Sequence, residues 1–273
     1  MFHYGITQWI SGNEDLERAF RRLSEFGYHS MEFSSEPYTM DREKCKCLMD
    51  KYGIACASLC GAFGPGRDLT AENADSAVQY LKDSVDLAVE LGASVLITVP
   101  SPPGRAVPPA GFSYDRLWGN AVKNIRAAAD YAGDRGVFLA IEPLNRYESY
   151  LVNTVFQALC MAEEIAHPAV GIMADTFHMN IEESNIASAI IQAGGHLKHV
   201  HVADSNRGPA GAGHIDFSAV LHALKDIHYS GEIVMEYVCR AGDSETLDRY
   251  AKASVETLRA FEYALTLNKN REA

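Results

Sequence analysis

The feature that most restricts the fold of this chain is an alternation of short apolar segments with helical segments, repeated eight times. The apolar segments have the length and β-branched content of strands. In the gaps between them, apolar residues recur at three- and four-residue spacing, as on one face of a helix. This alternation indicates βαβ units and a parallel sheet. The predicted strands are residues 4–8, 30–33, 54–59, 94–99, 137–141, 170–174, 198–202 and 232–235.

Eight such units within 273 residues match a (β/α)8 TIM barrel, for which about 250 residues is typical. An open doubly wound sheet is the competing topology. That fold usually has a glycine-rich phosphate-binding turn after its first strand, and residues 8–12, QWISG, do not form one. The proline-rich loop 100–111 is too short to link two domains. We therefore predict a single α/β domain, a TIM barrel spanning residues 1–273.

Charge and composition limit the kinds of partner that this chain is expected to bind. A formal net charge of −12 at pH 7 disfavours nucleic acid and anionic membrane surfaces, and it suits a neutral or metal-bound small molecule. Residues 1–20 lack the cationic and apolar regions of a signal peptide, and no apolar run approaches the ~20 residues of a membrane helix. The six cysteines are interpreted as reduced and mostly buried. A cytoplasmic protein is expected.

Four candidate metal ligands lie at the ends of four successive predicted strands. A single carboxylate at such a place is most often a helix cap or a surface charge, but the carboxyl ends of barrel strands converge on one face. Three carboxylates and one imidazole suit Mn²⁺, Co²⁺ or Mg²⁺ better than a structural zinc. Without a cation, the carboxylates would repel and some would take up protons. The four residues are Glu142, Asp175, His201 and Glu236.

The second half of the chain resembles the ketose 3-epimerases, the tagatose and psicose 3-epimerases of the xylose-isomerase-like barrel superfamily. The first half matches loosely, chiefly around GPGRDLTAENA (64–74), and the loop 100–111 does not match. The segments that carry the resemblance are IEPLNRYESYLVNT (141–154), ADTFHMNIEE (174–183), HVHVADSNRGPAGAG (199–213) and IVMEYV (233–238).

The resemblance implies one divalent metal per chain, with Mn²⁺ as the first choice and Co²⁺ or Mg²⁺ as alternatives. It implies Glu142, Asp175, His201 and Glu236 as the metal ligands. Glu142 and Glu236 would also be the two acid/base groups. A sugar would be the substrate, and a homo-oligomer is left open. The residues implied to contact substrate oxygens are Glu148, His178 and Arg207.

Elementary chemistry agrees with these roles. Removal of a proton next to a ketone requires stabilisation of an enediolate, which a divalent cation provides. Inversion of that carbon requires a base on one face and an acid on the other. Arg207 can donate two hydrogen bonds to substrate oxygens, and His178 can donate one to a carbonyl.

Each substrate-contact residue also has a structural interpretation. Glu148 could be a solvated loop charge, and His178 a hydrogen-bonded packing residue. Arg207 could pair with Asp204 or Asp216 instead of substrate. The remaining histidines stay unassigned, among them His3, His199 and His214.

Three other functions remain open. An aldose–ketose isomerase of the same superfamily, of the hydroxypyruvate or inosose type, would share the metal but move the proton between adjacent carbons. An endonuclease IV-like phosphodiesterase would need further metal ligands on strands two to four and a basic surface. The ends of those strands are Phe33-Ser34-Ser35, Leu59-Cys60-Gly61 and Val99-Pro100-Ser101, which lack such ligands. A non-catalytic sugar-binding barrel is the third possibility.

Overall fold

The computed structural model describes residues 1–61, 66–111, 113–239 and 243–272, with side chains as far as residue 267. Eight parallel strands pair in sequence order, and the last strand pairs with the first to close a barrel. The predicted (β/α)8 barrel is therefore confirmed. The strands are β1 His3–Thr7, β2 Ser30–Ser34, β3 Ala55–Gly61, β4 Val95–Thr98, β5 Phe138–Ile141, β6 Val170–Asp175, β7 Leu197–Val202 and β8 Glu232–Met235.

Helices cover the outside of the barrel. Short 3₁₀ segments span Gln8–Ser11 and Gly194–His196. The α-helices are α1 Leu16–Phe26, α2 Arg42–Tyr52, α3 Asp75–Leu91, α4 Tyr114–Gly133, α5 Val155–Ile165, α6 Thr176–Glu182, α7 Ile186–Ala193, α8 Phe217–Asp226 and α9 Ser244–Glu272.

Local sequence signals set the helix boundaries. Thr154 begins α5 with a capping box, in which its hydroxyl accepts from the Gln157 amide and the Gln157 side chain accepts from the Thr154 amide. Gly92 ends α3 in the left-handed conformation, with φ of 77°, which glycine adopts without a steric penalty. For α4, the sequence pattern predicts an end at Gly136, but the helix ends three residues earlier, at Gly133. In the predicted loop after β3, Gly64 and Pro65 lie outside the described residues.

Two layers of side chains flank the strands. Outward-facing residues such as Met31, Phe33 and Val200 are buried against the helices in the main core. A smaller apolar cluster lies apart from it and includes Cys60, Val95, Ile97, Ala140 and Met173, with Trp9 packed on it. Strand alternation places these side chains inside the barrel.

Polar side chains share the barrel interior with that cluster. Glu32 of β2 contacts His199 and His201 of β7, and all three side chains are essentially inaccessible to solvent. Strands β2 and β7 are not neighbours in the closed sheet, so these contacts run through the interior. Charged groups are almost never fully buried unless they are paired, so this cluster indicates more than packing.

Three of the six cysteines, Cys45, Cys56 and Cys60, are buried, fewer than the sequence analysis expected. All six cysteines are free, and Cys45 is buried whereas Cys47 is exposed, as expected for neighbours two apart on a helix. Among the helices described here, none is both long and apolar enough to cross a membrane.

Candidate metal and active site

The four predicted ligands lie together at the carboxyl-terminal face of the barrel. Glu142 directly follows β5, and its amide donates to the Thr98 carbonyl at 3.1 Å. Glu236 directly follows β8, and its amide donates to the Val202 carbonyl at 2.8 Å. Each bond extends the strand pairing by one residue, β5 with β4 and β8 with β7, and holds its glutamate at the rim of the barrel. Asp175 is the last residue of β6.

The side chains converge closely. Glu142, Asp175 and His201 each offer a ligand atom, and these atoms all lie within 4.8 Å of one another. Glu236 joins them through His201, because its Oε2 atom lies 3.3 Å from His201 Nδ1. The same nitrogen is 3.9 Å from Glu142 Oε1. Asp175 and His201 are fully buried, and Glu142 and Glu236 are 4% and 12% exposed.

Two atoms in this cluster fit a metal ion. Asp175 Oδ2 and His201 Nδ1 are buried and have no hydrogen-bond partner among the described residues. Unsatisfied buried polar atoms are rare in folded proteins, and each calls for a ligand, water or ion. The other carboxylate oxygen, Asp175 Oδ1, accepts from the Phe177 amide at 2.7 Å. This bond fixes the carboxylate and leaves Oδ2 available as a ligand.

The electrostatics of the cluster also favour a cation. Burial raises the pKa of Glu142 well above its usual range, and repulsion from Glu236 and Asp175 adds to the increase. Burial likewise raises the pKa of Asp175. Burial opposes the charged form of His201, yet the carboxylates of Glu32 and Glu236 raise its pKa. Additional positive charge would therefore stabilise the ionised carboxylates of this cluster, and a divalent cation supplies that charge.

Arg207 reaches the edge of the cluster. Its Nη2 atom is 3.4 Å from Glu236 Oε2, its Nη1 atom donates to Glu148 Oε1 at 3.2 Å, and the guanidinium lies 4.6 Å from the centre of the Phe177 ring. The Arg207 backbone has φ of 56°, an uncommon conformation for a residue other than glycine. Such strain is typical of functional sites.

The alternative partners proposed for Arg207 are engaged elsewhere. Asp204 accepts hydrogen bonds from the amides of Ser205, Gly211 and Ile215. Asp216 caps α8 by accepting from the Ala219 amide. The alternative interpretation, a salt bridge from Arg207 to Asp204 or Asp216, is not supported, because Arg207 pairs with Glu148 and Glu236. Its guanidinium is directed toward the site.

His178 is held in one tautomer. Its Nδ1 atom lies 3.2 Å from the Asn145 amide nitrogen and 2.7 Å from Asn145 Nδ2. Because a backbone amide only donates, Nδ1 must accept, and Nε2 carries the proton of the neutral ring. Nε2 lies 3.5 Å from Asp175 Oδ2, facing the cluster. The Nε2–H of His178 is thus directed toward the cluster.

Asn145 is a site residue that the sequence analysis missed. It is buried, and besides orienting His178 it donates from Nδ2 to Glu148 Oε1 at 2.9 Å. Glu148, 36% exposed, is therefore bonded to both Asn145 and Arg207 and is not a free solvated charge. The available signal was the position of Asn145 three residues after Glu142, within segment 141–154.

Glu32 and His199 were also missed. Together with His201 they form a second group of three potential ligands, with atoms within 4.8 Å of one another. The sequence analysis considered only the ends of strands two to four, whereas Glu32 lies in the middle of β2. Burial opposes ionisation of Glu32, but attraction to His201 and hydrogen bonds from both histidines lower its pKa to about 2.

Arg207→Ala and His178→Ala are each expected to reduce turnover while leaving the metal content nearly intact. Their side chains face the cluster without belonging to the ligand set, so their loss disturbs substrate orientation, which costs about 10- to 100-fold. Steady-state kinetics and metal analysis of the purified variants measure this. Arg146→Ala is the matched control, because Arg146 is exposed and pairs with Glu182 at the end of α6. Loss of the metal in either variant would contradict the assignment.

Comparison with known proteins gives the same family from sequence and from structure. Residues 20–261 match the family described as xylose isomerase-like TIM barrel. A ketose 3-epimerase of Arthrobacter globiformis is 32% identical over 233 residues, which is 82% of this chain and 78% of the relative. An L-ribulose 3-epimerase of Methylomonas sp. strain DH-1 is 31% identical over 80% of this chain and 77% of its own length.

A solved structure shows the same architecture. The D-psicose 3-epimerase of Clostridium cellulolyticum H10, determined with D-tagatose, superposes with a TM-score of 0.87 at 26% sequence identity. The match covers 95% of this chain and 99% of that one. The likeness therefore extends over the whole barrel, including the first half, where the sequence motifs are weak.

Proposed function

This chain belongs to the xylose isomerase-like TIM barrel family, with ketose 3-epimerases as relatives, and from that premise we propose that it is a divalent-metal-dependent epimerase. The proposed reaction inverts C3 of a ketose, the carbon next to the ketone. The observation that carries the proposal is the cluster of Glu142, Asp175, His201 and Glu236, in which buried ligand atoms lack partners.

The same four side chains would hold the metal. Their oxygen and imidazole donors suit Mn²⁺, with Co²⁺ and Mg²⁺ as substitutes. When bound there, such an ion supplies the positive charge that stabilises an enediolate after the C3 proton has left. We propose Mn²⁺ as the ion that this site binds.

Glu142 and Glu236 are proposed to exchange the proton at C3. They follow β5 and β8, and the residues of β6 and β7 lie between them along the rim. A substrate carbon between the two carboxylates would present opposite faces to them. One glutamate would then accept the proton from one face, and the other would donate a proton to the opposite face, which inverts the centre.

Three neighbouring side chains are proposed to orient the sugar. His178 would donate from Nε2 to a substrate oxygen, since Asn145 occupies its Nδ1 atom. Arg207 would donate to a hydroxyl group, and Glu148 would accept from one while it steadies Arg207 at 3.2 Å. These contacts define where the reacting carbon lies relative to the two glutamates.

An aldose–ketose isomerase is the main competing function, because it would use the same metal and the same barrel face. It would carry a proton between adjacent carbons on one face of the substrate, so one glutamate would suffice. The pair of carboxylates on both sides of Asp175 and His201 favours epimerisation. A nucleic-acid substrate remains disfavoured by the net charge of −12.

The proposed function is tested by turnover in D₂O. Metal-loaded protein is incubated with a panel of free and phosphorylated ketoses, and the products are separated from their epimers. A two-base mechanism exposes the removed proton to exchange with solvent, so we expect a C3 epimer that carries deuterium at C3. An aldose as the main product, with part of the original hydrogen retained at the neighbouring carbon, would instead support the isomerase.

A further inference from the structure

We propose that Glu32 is a positioning residue for the metal site: its carboxylate accepts the Nε2–H of His201 and thereby presents Nδ1 of that ring to the cation. This inference rests on the proposed function only in taking His201 as a metal ligand. Glu32 itself lies in the middle of β2 and is fully buried.

The two nitrogens of His201 face different carboxylates, and Glu32 makes the closer contact. Nε2 lies 2.9 Å and 3.0 Å from the two carboxylate oxygens of Glu32. Nδ1 faces the other way, toward Glu236 and Glu142, and has no hydrogen-bond partner among the described residues. A metal-binding imidazole carries its one proton on the nitrogen that it does not use for the metal. A carboxylate at Nε2 therefore leaves the lone pair of Nδ1 for the ion.

Other buried donors hold Glu32 in place. His199 Nε2 lies 3.0 Å from Glu32 Oε2, and the Ser58 hydroxyl donates to the same oxygen. The His199 ring also meets His201 edge-on, with centroids 5.1 Å apart and planes at 80°. Since Glu32, His199 and His201 are buried, water cannot compete for these bonds. A carboxylate behind a histidine ligand fixes the ring orientation and makes the ligand more basic.

The same three residues could instead hold a second metal ion. Two arguments favour a proton on His201 Nε2 over a second metal ion at this position. The Ser58 hydroxyl already donates to Glu32 Oε2, as expected for a hydrogen-bonded carboxylate. A second ion would also require His201 to bind metal through both nitrogens, which removes its last ring proton. We therefore treat a second metal as an outcome of the experiment.

The test measures Mn²⁺ affinity, by competition with a fluorescent chelator, in wild-type protein, Glu32→Gln and Glu232→Gln. Glu232 is the matched control, because it lies on β8 and hydrogen-bonds to Ser30 without contacting a proposed ligand. We expect Glu32→Gln to bind Mn²⁺ about 10- to 100-fold more weakly, and Glu232→Gln to bind it as the wild type does. Unchanged affinity in Glu32→Gln, or an equal loss in both variants, would overturn the proposal. So would a stoichiometry of more than one Mn²⁺ that falls by one in Glu32→Gln.

A second measurement covers the case in which Glu32→Gln does not fold. NMR of ¹⁵N-histidine-labelled wild-type protein loaded with diamagnetic Mg²⁺ reports the tautomer of His201 directly. We expect a protonated Nε2 and an unprotonated Nδ1, and the reverse assignment would refute the positioning role. Both readouts are independent of sugar turnover. A protein that binds Mn²⁺ as described but epimerises no ketose would disprove the proposed function and leave this inference standing.

Discussion

Replacement of Glu142 or Glu236 by glutamine is expected to lower kcat by about 10²-fold or more, with some metal still bound. Glutamine keeps an oxygen that can coordinate a cation but loses the basic oxygen that takes up the C3 proton. Because the two residues follow β5 and β8 on either side of Asp175 and His201, each is needed for a different face of the substrate. Steady-state rates with the preferred ketose, together with metal analysis, measure the effect.

The control for these variants is again Glu232→Gln, which removes a carboxylate from the far end of β8 and should retain wild-type activity. Exchange of the C3 hydrogen with D₂O provides a second measurement on these variants. A variant that lacks one of the two bases should retain slow deuterium exchange at the face that the remaining glutamate serves, without inversion. If one glutamate proves dispensable and aldose accumulates, the two-base mechanism is wrong and the isomerase explanation gains support.

Removal of the metal is expected to abolish activity, and Mn²⁺ or Co²⁺ is expected to restore it. The physical reason is the buried cluster itself, in which repulsion and burial raise the pKa values of Glu142 and Asp175 when no cation balances them. Metal analysis after dialysis should find one divalent ion per chain. The loaded protein should also unfold at a higher Tm than the chelated protein, since an ion that binds only the folded state stabilises it.

Full activity in rigorously metal-free protein would contradict this prediction. Addition of Ca²⁺ serves as a control for the ion, because Ca²⁺ prefers six to eight oxygen ligands, whereas this cluster includes the imidazole nitrogen of His201. Loss of activity that no divalent ion restores would point to unfolding by the chelator, which far-UV circular dichroism of the treated protein detects.

Much of the fold and most of the candidate site could be predicted from the sequence. Strand and helix periods are short-range patterns, so eight alternating units were sufficient to predict a barrel that the structure confirms. Glu142, Asp175, His201 and Glu236 could be grouped because the ends of successive parallel strands are neighbours by construction. Arg207 and His178 were located through motifs in the loops that follow those strands.

The region between β6 and β7 shows where local patterns were insufficient. Only one helix was expected in each gap, yet α6 and α7 both lie between these strands. α6 begins directly at Asp175, whose carboxylate accepts from the Phe177 amide. This arrangement brings His178 back over the site within one helical turn, where its Nε2 atom faces Asp175.

The contacts across the barrel were decided by the tertiary structure alone. Glu32 and His201 are 169 residues apart on strands that do not pair, so no spacing or periodicity in the sequence relates them. Their contact depends on barrel closure and on the relative heights of β2 and β7, which follow from packing across the interior. The sequence by itself determined the eight units and the four candidate ligands at strand ends, because both depend on short-range hydrogen bonding and alternation. The barrel's closure determined which buried carboxylate meets His201, because that contact requires the whole sheet.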